Sequence, residues 1–217
     1  MRAWCLGLAG AVLAVAAYGQ AEPTLRVDYR NPGLIPSTWT LTLHPDGSGH
    51  FHSERGAAKG DSEDTIEPVT VDRDIQLSSM FAAQAFHAVR DHHLLHTSCE
   101  SHMKVAFQGW KKLTYTGPDG EGSCEFNYSK EKDIQALGES FVAIASTVVE
   151  GARLELLLQH EPLGLDKELE FLAEAAQDGR VQQLCAIRGI LQKLEDDPDV
   201  MERVRKRASK LLVQSSK

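Results

Sequence analysis

The pattern of apolar and polar residues from Leu25 to Val71 reads as strands. Trp39-Thr40-Leu41-Thr42-Leu43 alternates strictly, Pro45-Asp46-Gly47-Ser48-Gly49 supplies a turn and Phe51 resumes the apolar face, which predicts a hairpin. Gly56 to Asp64 is small and charged and reads as a mobile connection, with Thr65 to Val71 as a further strand. From about Asp74 the spacing changes to three and four, through Leu77, Phe81, Ala85, Ala88 and Val89, and predicts an amphipathic helix capped by Asp72 or Asp74. After Cys99 strand patterns return at Lys104 to Gln108, Lys112 to Thr116 and Ser123 to Tyr128. The last two are joined by Gly117-Pro118-Asp119-Gly120-Glu121-Gly122. A Leu-Thr-x segment followed by Pro-Asp-Gly-x-Gly occurs twice, around Leu41 and around Leu113, and two hairpins converging on one good turn explain this more simply than duplication.

From Ser129 onward the pattern is helical. Ser129 is placed to cap a long helix carrying Ile134, Leu137, Phe141, Ala145 and Val148, which runs to Leu158 before His160-Glu161-Pro162 stops it. Asp166 is placed to cap a second helix with Leu169, Leu172 and Ala176, ended by Gly179. A third runs from Val181 to Leu194, and Asp197-Pro198 opens a fourth through Val204, Ala208 and Leu211. The fold class is therefore α+β. An antiparallel sheet with one packed helix occupies 22–128, and a helical array over 129–217 shares one core with it through the long helix.

The N-terminus changes the picture of where this fold works. Arg2, an apolar run from Leu6 to Ala17 and Gly19-Gln20-Ala21 form the three parts of a cleavable signal peptide, 1–21. The apolar run is about a dozen residues, short of the roughly 20 that span a bilayer. The mature chain is thus expected to be soluble, secreted to a periplasmic or extracellular space, and without a transmembrane anchor. Cys5 precedes the apolar run and is not placed to carry a lipid. Removing 1–21 leaves 22 basic and 31 acidic residues, a net charge of −9 against −8 for the whole chain. That charge argues against nucleic acid as a partner, since phosphate backbones are held by Lys and Arg clusters. Of the three cysteines left, Cys99 and Cys124 are the expected disulfide, while Cys185 sits among Leu184, Ala186 and Ile187 like a small core residue.

Histidine placement is the main chemical hint. His44, His50 and His52 share the parity opposite to Leu41, Leu43 and Phe51, so they belong to the polar face of the first hairpin, where two imidazoles are within reach of one zinc or copper ion. His92 and His96 have the i, i+4 spacing of a zinc-binding helix, but His93 stands where that motif has its catalytic Glu. The plain alternatives are a solvated sheet face and a helix end favoured by the macrodipole. The basic run Arg203, Arg205, Lys206, Arg207 and Lys210 follows Asp197, Asp199 and Glu202, which is a macrodipole pattern more than an anion site. Asp61, Glu63 and Asp64 lack the ligand order of a calcium loop, and Asn127-Tyr128-Ser129 fits the glycosylation sequon. No nucleophile elbow, phosphate loop, dinucleotide fingerprint or Cys-x-x-Cys is present.

The helices Val181 to Leu194 and Val200 to Leu212, with Asp197-Pro198-Asp199-Val200 and Val204-Arg205 between and after them, resemble one unit of the HEAT repeats. That resemblance implies a scaffold or interaction module, although one unit alone lacks the neighbours that bury a repeat's core. The overall layout is similar to small secreted bacterial proteins of unknown function, which carries no residue roles. Together these features point to a non-catalytic binding or interaction protein whose partner is a protein or small ligand. A His-based metal protein and a hydrolase assembled from scattered residues are the alternatives.

Overall fold

The structure, a computed structural model, describes residues 22–56 and 66–215. The expected signal peptide and most of the expected mobile connection, with Asp61, Glu63 and Asp64, lie outside the described residues. Six strands are β1 (Thr24–Arg30), β2 (Thr38–Leu43), β3 (Ser48–Glu54), β4 (Thr70–Gln76), β5 (Trp110–Gly117) and β6 (Gly120–Phe126). They form one antiparallel sheet in the order β4-β3-β2-β1-β5-β6. The helices are α1 (Ser79–Asp91), α2 (Lys132–His160), α3 (Leu165–Gln177), α4 (Arg188–Asp196) and α5 (Glu202–Gln214). The α+β fold with a C-terminal helical array is the one expected from the pattern.

Register follows the alternation. Leu41 stands opposite Val27 on one side and Phe51 on the other, and Val27 stands opposite Leu113, so one row of apolar side chains crosses the sheet. That face is covered by α1 and α2: Phe86 meets Tyr115 edge-on, and Phe81 meets Phe141 of α2. Arg73 occupies an inner-face position of β4, where its guanidinium takes both carboxylate oxygens of Glu155 on α2 at 3.0 and 2.7 Å. The 29-residue α2 serves two apolar clusters. Ile134 to Ala152 pack with the sheet and α1, whereas Leu154 and Leu157 pack with α3, α4 and α5. Gly151 lets the 3-10 turn Leu184–Ile187 close on α2, since a Cβ there would lie 2.3 Å from Ile187. Among the described residues no helix is long and apolar enough to cross a membrane.

Several expected boundaries move, each for a local reason. β4 lies at Thr70–Gln76, so Asp72 and Asp74 are strand residues and Ser78 caps α1 instead, its hydroxyl accepting from Phe81 N–H at 3.2 Å. Lys104 to Gln108 forms no strand, because side chains satisfy its surroundings: Asn127 Oδ1 accepts from Gln108 N–H at 2.7 Å, and Glu100 Oε2 accepts from Asn127 N–H at 2.7 Å. Glu131 is the cap residue of α2, with Ser129 just before it accepting from Glu131 N–H at 3.2 Å. Asp166 lies inside the first turn of α3, where it holds Arg203 and Arg207 of α5 at 3.1 and 3.0 Å. Those contacts make part of the basic run a helix staple. The expected third helix splits into Leu184–Ile187 and α4, since the backbone N–H and C=O of Gln182 are bonded to the Thr147 hydroxyl and the Gln183 side chain accepts from Ser78 N–H. The fourth helix starts at Glu202, after a turn in which Asp197 Oδ1 accepts from Asp199 N–H. Gly179, at φ +75°, follows the end of α3 as anticipated.

The Cys99–Cys124 disulfide is present and fastens the coil before β5 to β6. Cys185 is half-buried in its 3-10 turn, and burial pushes its thiol pKa up, away from reactivity.

Candidate functional site

The three hairpin histidines do share the outer face. His44 follows β2 and donates its backbone N–H to Ser48 O at 2.8 Å, which extends the register by one pair and sets it diagonal to His50. The imidazoles of His50 and His52, however, are engaged by carboxylates of β4. His50 Nδ1 lies 2.9 Å from Asp74 Oδ1, and its Nε2 lies 3.3 Å from Asp72 Oδ1. His52 Nδ1 lies 2.8 Å from Asp72 Oδ2. Asp72 and Asp74 reach these rings because β4 lies at Thr70–Gln76, five residues further along the chain than the expected Thr65 to Val71, and its register sets Asp74 opposite His50 and Asp72 opposite His52. Among the described residues no group of three or more His, Cys, Asp or Glu is arranged to hold a metal ion. α1 ends at Asp91, and His93, Leu94 and Leu95 take positive φ, so helical geometry does not relate His92 to His96. His92 instead faces Asp133 of α2 at 3.8 Å.

A different centre stands out by its chemistry. Glu150 of α2 hydrogen-bonds to Glu168 of α3, and burial first, then this bond and the Glu168 charge, push its pKa up to about 8. Glu67 adds to the rise and Arg153 opposes it. Arg153 lies 3.2 Å from Glu67 Oε1 and 3.4 Å from Glu168 Oε2. Glu150 Oε2 and Glu168 Oε1 are buried with no hydrogen-bond partner. Two carboxyls this close share a proton, as like charges in a poorly solvated site cannot both ionise. Glu168 lies in the first turn of α3. Sequence reasoning passed over this centre, yet a signal was there: Glu150, Arg153 and Glu155 interrupt an otherwise uncharged run from Phe141 to Leu158.

Glu150 also forms part of a cleft. Val142, Ser146 and Glu150, spaced at four along α2, make the floor of two adjoining cavities. The larger, about 380 Å³, is walled by Phe171, Ala175 and Val181, with Glu139 and Arg180 at its edge. The smaller, about 110 Å³, lies under Leu34, Ile35 and Pro36 beside Trp39. Trp39 is stacked on Tyr29 at 5.0 Å, and burial raises the Tyr29 pKa, keeping that wall uncharged. Arg180 lies 5.2 Å over the Phe171 ring and 3.2 Å from Asp178. Thr147 fixes the far wall, its hydroxyl donating to Gln182 O at 2.6 Å and accepting from Gln182 N–H at 3.0 Å. A larger groove of about 750 Å³ runs between α1 and α2, but its ionisable groups His87, Asp91 and Asp133 are well exposed.

The cleft therefore joins apolar walls to a carboxyl that is neutral near physiological pH. Such a group can donate one hydrogen bond, or give up its proton to a cation. Compared with protein families and with curated proteins, the chain matches none.

Proposed function

We propose that this chain is a secreted, non-catalytic binding protein that seats a small, largely apolar ligand in the cleft over Val142, Ser146 and Glu150. The observation that carries this reading is the cleft itself: two cavities share one helical floor, and Glu150, whose carboxyl keeps its proton to about pH 8, lies in that floor. Apolar concavity with a few convergent polar groups is the usual form of a small-ligand site. The signal-peptide pattern and the disulfide support export to an oxidising compartment.

Nile red, a neutral apolar dye, tests the site. Saturable fluorescence enhancement at one dye per chain is expected, and Val142→Trp, which fills the shared floor, should abolish it while leaving the thermal unfolding curve cooperative. Absence of saturable binding, or equal binding by the variant, overturns the reading. The shared proton of Glu150 and Glu168 favours a second reading, a hydrolase using the pair as an acid–base dyad. Turnover of ester or glycoside substrates that is lost in Glu150→Gln would favour that reading instead.

A further inference from the structure

We infer that the loop between Cys99 and Trp110 docks this protein on a lipid surface bearing anionic headgroups, with Met103 and Phe107 entering the interface and Lys104 and Arg30 meeting the phosphates. This surface is separate from the cleft and does not depend on that reading.

The loop is unusual in composition and in what it exposes. Connecting segments are commonly polar, yet this one carries Met103, Val105, Ala106 and Phe107. Met103 is 53% exposed and Phe107 51% exposed, and Phe107 meets Trp110 edge-on at 6.4 Å. A further exposed apolar residue stands at the same end of the sheet. Arg30 at the end of β1 is opposite Trp110 at the start of β5, so the loop after β1 and the loop before β5 emerge together. The first of these holds Leu34, which is 50% exposed. Tyr29 ties the two loops, accepting from Asn31 Nδ2 at 3.4 Å and donating to Gln108 O at 3.0 Å.

The loop backbone favours lipid as the partner. Polar backbone groups that enter a bilayer lose water and must be satisfied inside the chain. This loop forms no strand, and nearby groups do that work. Ser101 N–H donates to Tyr128 O at 2.9 Å, His102 N–H to Glu100 Oε1 at 3.0 Å, and Met103 N–H to Ser101 Oγ at 3.1 Å. Val105 N–H donates to Met103 O at 3.0 Å. The Asn127 amide accepts from Gln108 N–H at 2.7 Å and donates to Ala106 O at 3.3 Å. The Cys99–Cys124 disulfide fastens the base. The apolar side chains are thus presented on a loop already bonded to the protein behind it.

Charge agrees. The chain carries 31 acidic residues and a net charge of −8, yet none of the acids falls between Ser101 and Pro118. An anionic surface repels the chain as a whole, so the end that approaches it is the one locally free of acid. Lys104 is exposed beside Met103, where its stem can lie along apolar groups while the ammonium stays among headgroups. Arg30 is exposed next to Trp110 in the register. Glu100 turns its carboxylate inward, to the N–H groups of His102 and Asn127. Lys112 stands between Asp28 and Glu125 and adds little. Aromatic residues with flanking cations are the set that occupies membrane–water interfaces. Attachment of this kind is peripheral and reversible.

Co-sedimentation of the exported chain with vesicles tests the inference, using phosphatidylcholine alone and phosphatidylcholine with phosphatidylglycerol in equal parts. Brominated acyl chains in both allow tryptophan quenching to be read, and because Trp39 is 4% exposed the signal reports Trp110. Anionic vesicles should bind about tenfold more tightly than neutral ones at low salt, with Trp110 quenched. The difference should shrink at about 0.5 M NaCl. Met103→Ser with Phe107→Ser should weaken binding about tenfold and remove the quenching. Lys104→Glu, an exposed change that leaves the apolar residues in place, should weaken binding to the anionic vesicles alone. No binding to either vesicle, equal binding to both, binding without quenching, or undiminished binding by the two variants overturns the inference. Nile red binding is read without vesicles, so failure here leaves the cleft reading standing, and failure there leaves this one.

Discussion

Replacing Glu150 by Gln should stabilise the protein, and by an amount that grows with pH. In the folded chain this carboxyl keeps its proton until about pH 8, against an ordinary value of 4.5. Between those values the folded state holds a proton that the unfolded chain has released, so stability falls as pH rises through the window. At about 1.4 kcal/mol per pH unit, the ionisable group costs the fold about 3 kcal/mol at pH 7 and up to about 5 kcal/mol above pH 8. Glutamine has nearly the same shape, stays neutral throughout, and its amide can donate to Glu168 in place of the shared proton. The difference in unfolding free energy, variant minus native, should therefore be small at pH 4.5 and reach about 2–4 kcal/mol at pH 8. Urea unfolding followed by circular dichroism at pH 4.5, 6, 7 and 8.5, with the disulfide intact, measures it. Groups remote from Glu150 behave alike in both proteins and cancel in the difference. A difference that is flat with pH, or that shrinks as pH rises, would refute the assignment of the strained carboxyl to Glu150.

Further expectations rest on other contacts. Cys99→Ser with Cys124→Ser opens a link across 25 residues and should cost about 3.5 kcal/mol in urea unfolding, a loss below about 1 kcal/mol being incompatible with the chain-entropy account. Lys111 is 2% exposed and donates to Gly109 O and Asn127 O, both at 3.0 Å. Lys111→Met leaves both carbonyls without that donor and should cost about 2–3 kcal/mol; equal midpoints and slopes would show that the bonds contribute nothing. Thr147→Val deprives Gln182 of both its bonds to α2, costing about 2 kcal/mol and weakening Nile red binding severalfold through the loosened wall; unchanged dye affinity would separate that wall from the cleft. His50→Ala with His52→Ala removes exposed pairs to Asp72 and Asp74 and should change stability by less than about 1 kcal/mol. Stoichiometric zinc on the native chain by elemental mass spectrometry, lost in this variant, would revive the metal alternative.

Local chemistry in the sequence was enough for the frame. Alternation in Trp39 to Leu43 and the Pro-Asp-Gly turns specify hairpins because a strand buried on one face must repeat at two, and the registers of β2 with β3 and β5 with β6 follow. The 3.6 period through Ile134, Leu137, Phe141 and Val148 specifies α2 in the same way, and Cys99 and Cys124 pair as their placement suggested. What tertiary contact decided were the elements whose polar groups found distant partners. Thr147 and Ser78 draw the Gln182-Gln183 backbone and side chains out of a helix, and Asn127 and Glu100 keep Lys104 to Gln108 from forming a strand. The acid centre belongs wholly to that second class. Glu150 and Glu168 are 18 positions apart and meet because α2 and α3 fold back on each other, and a carboxyl's pKa is set by the water it loses and the charges it meets across that fold.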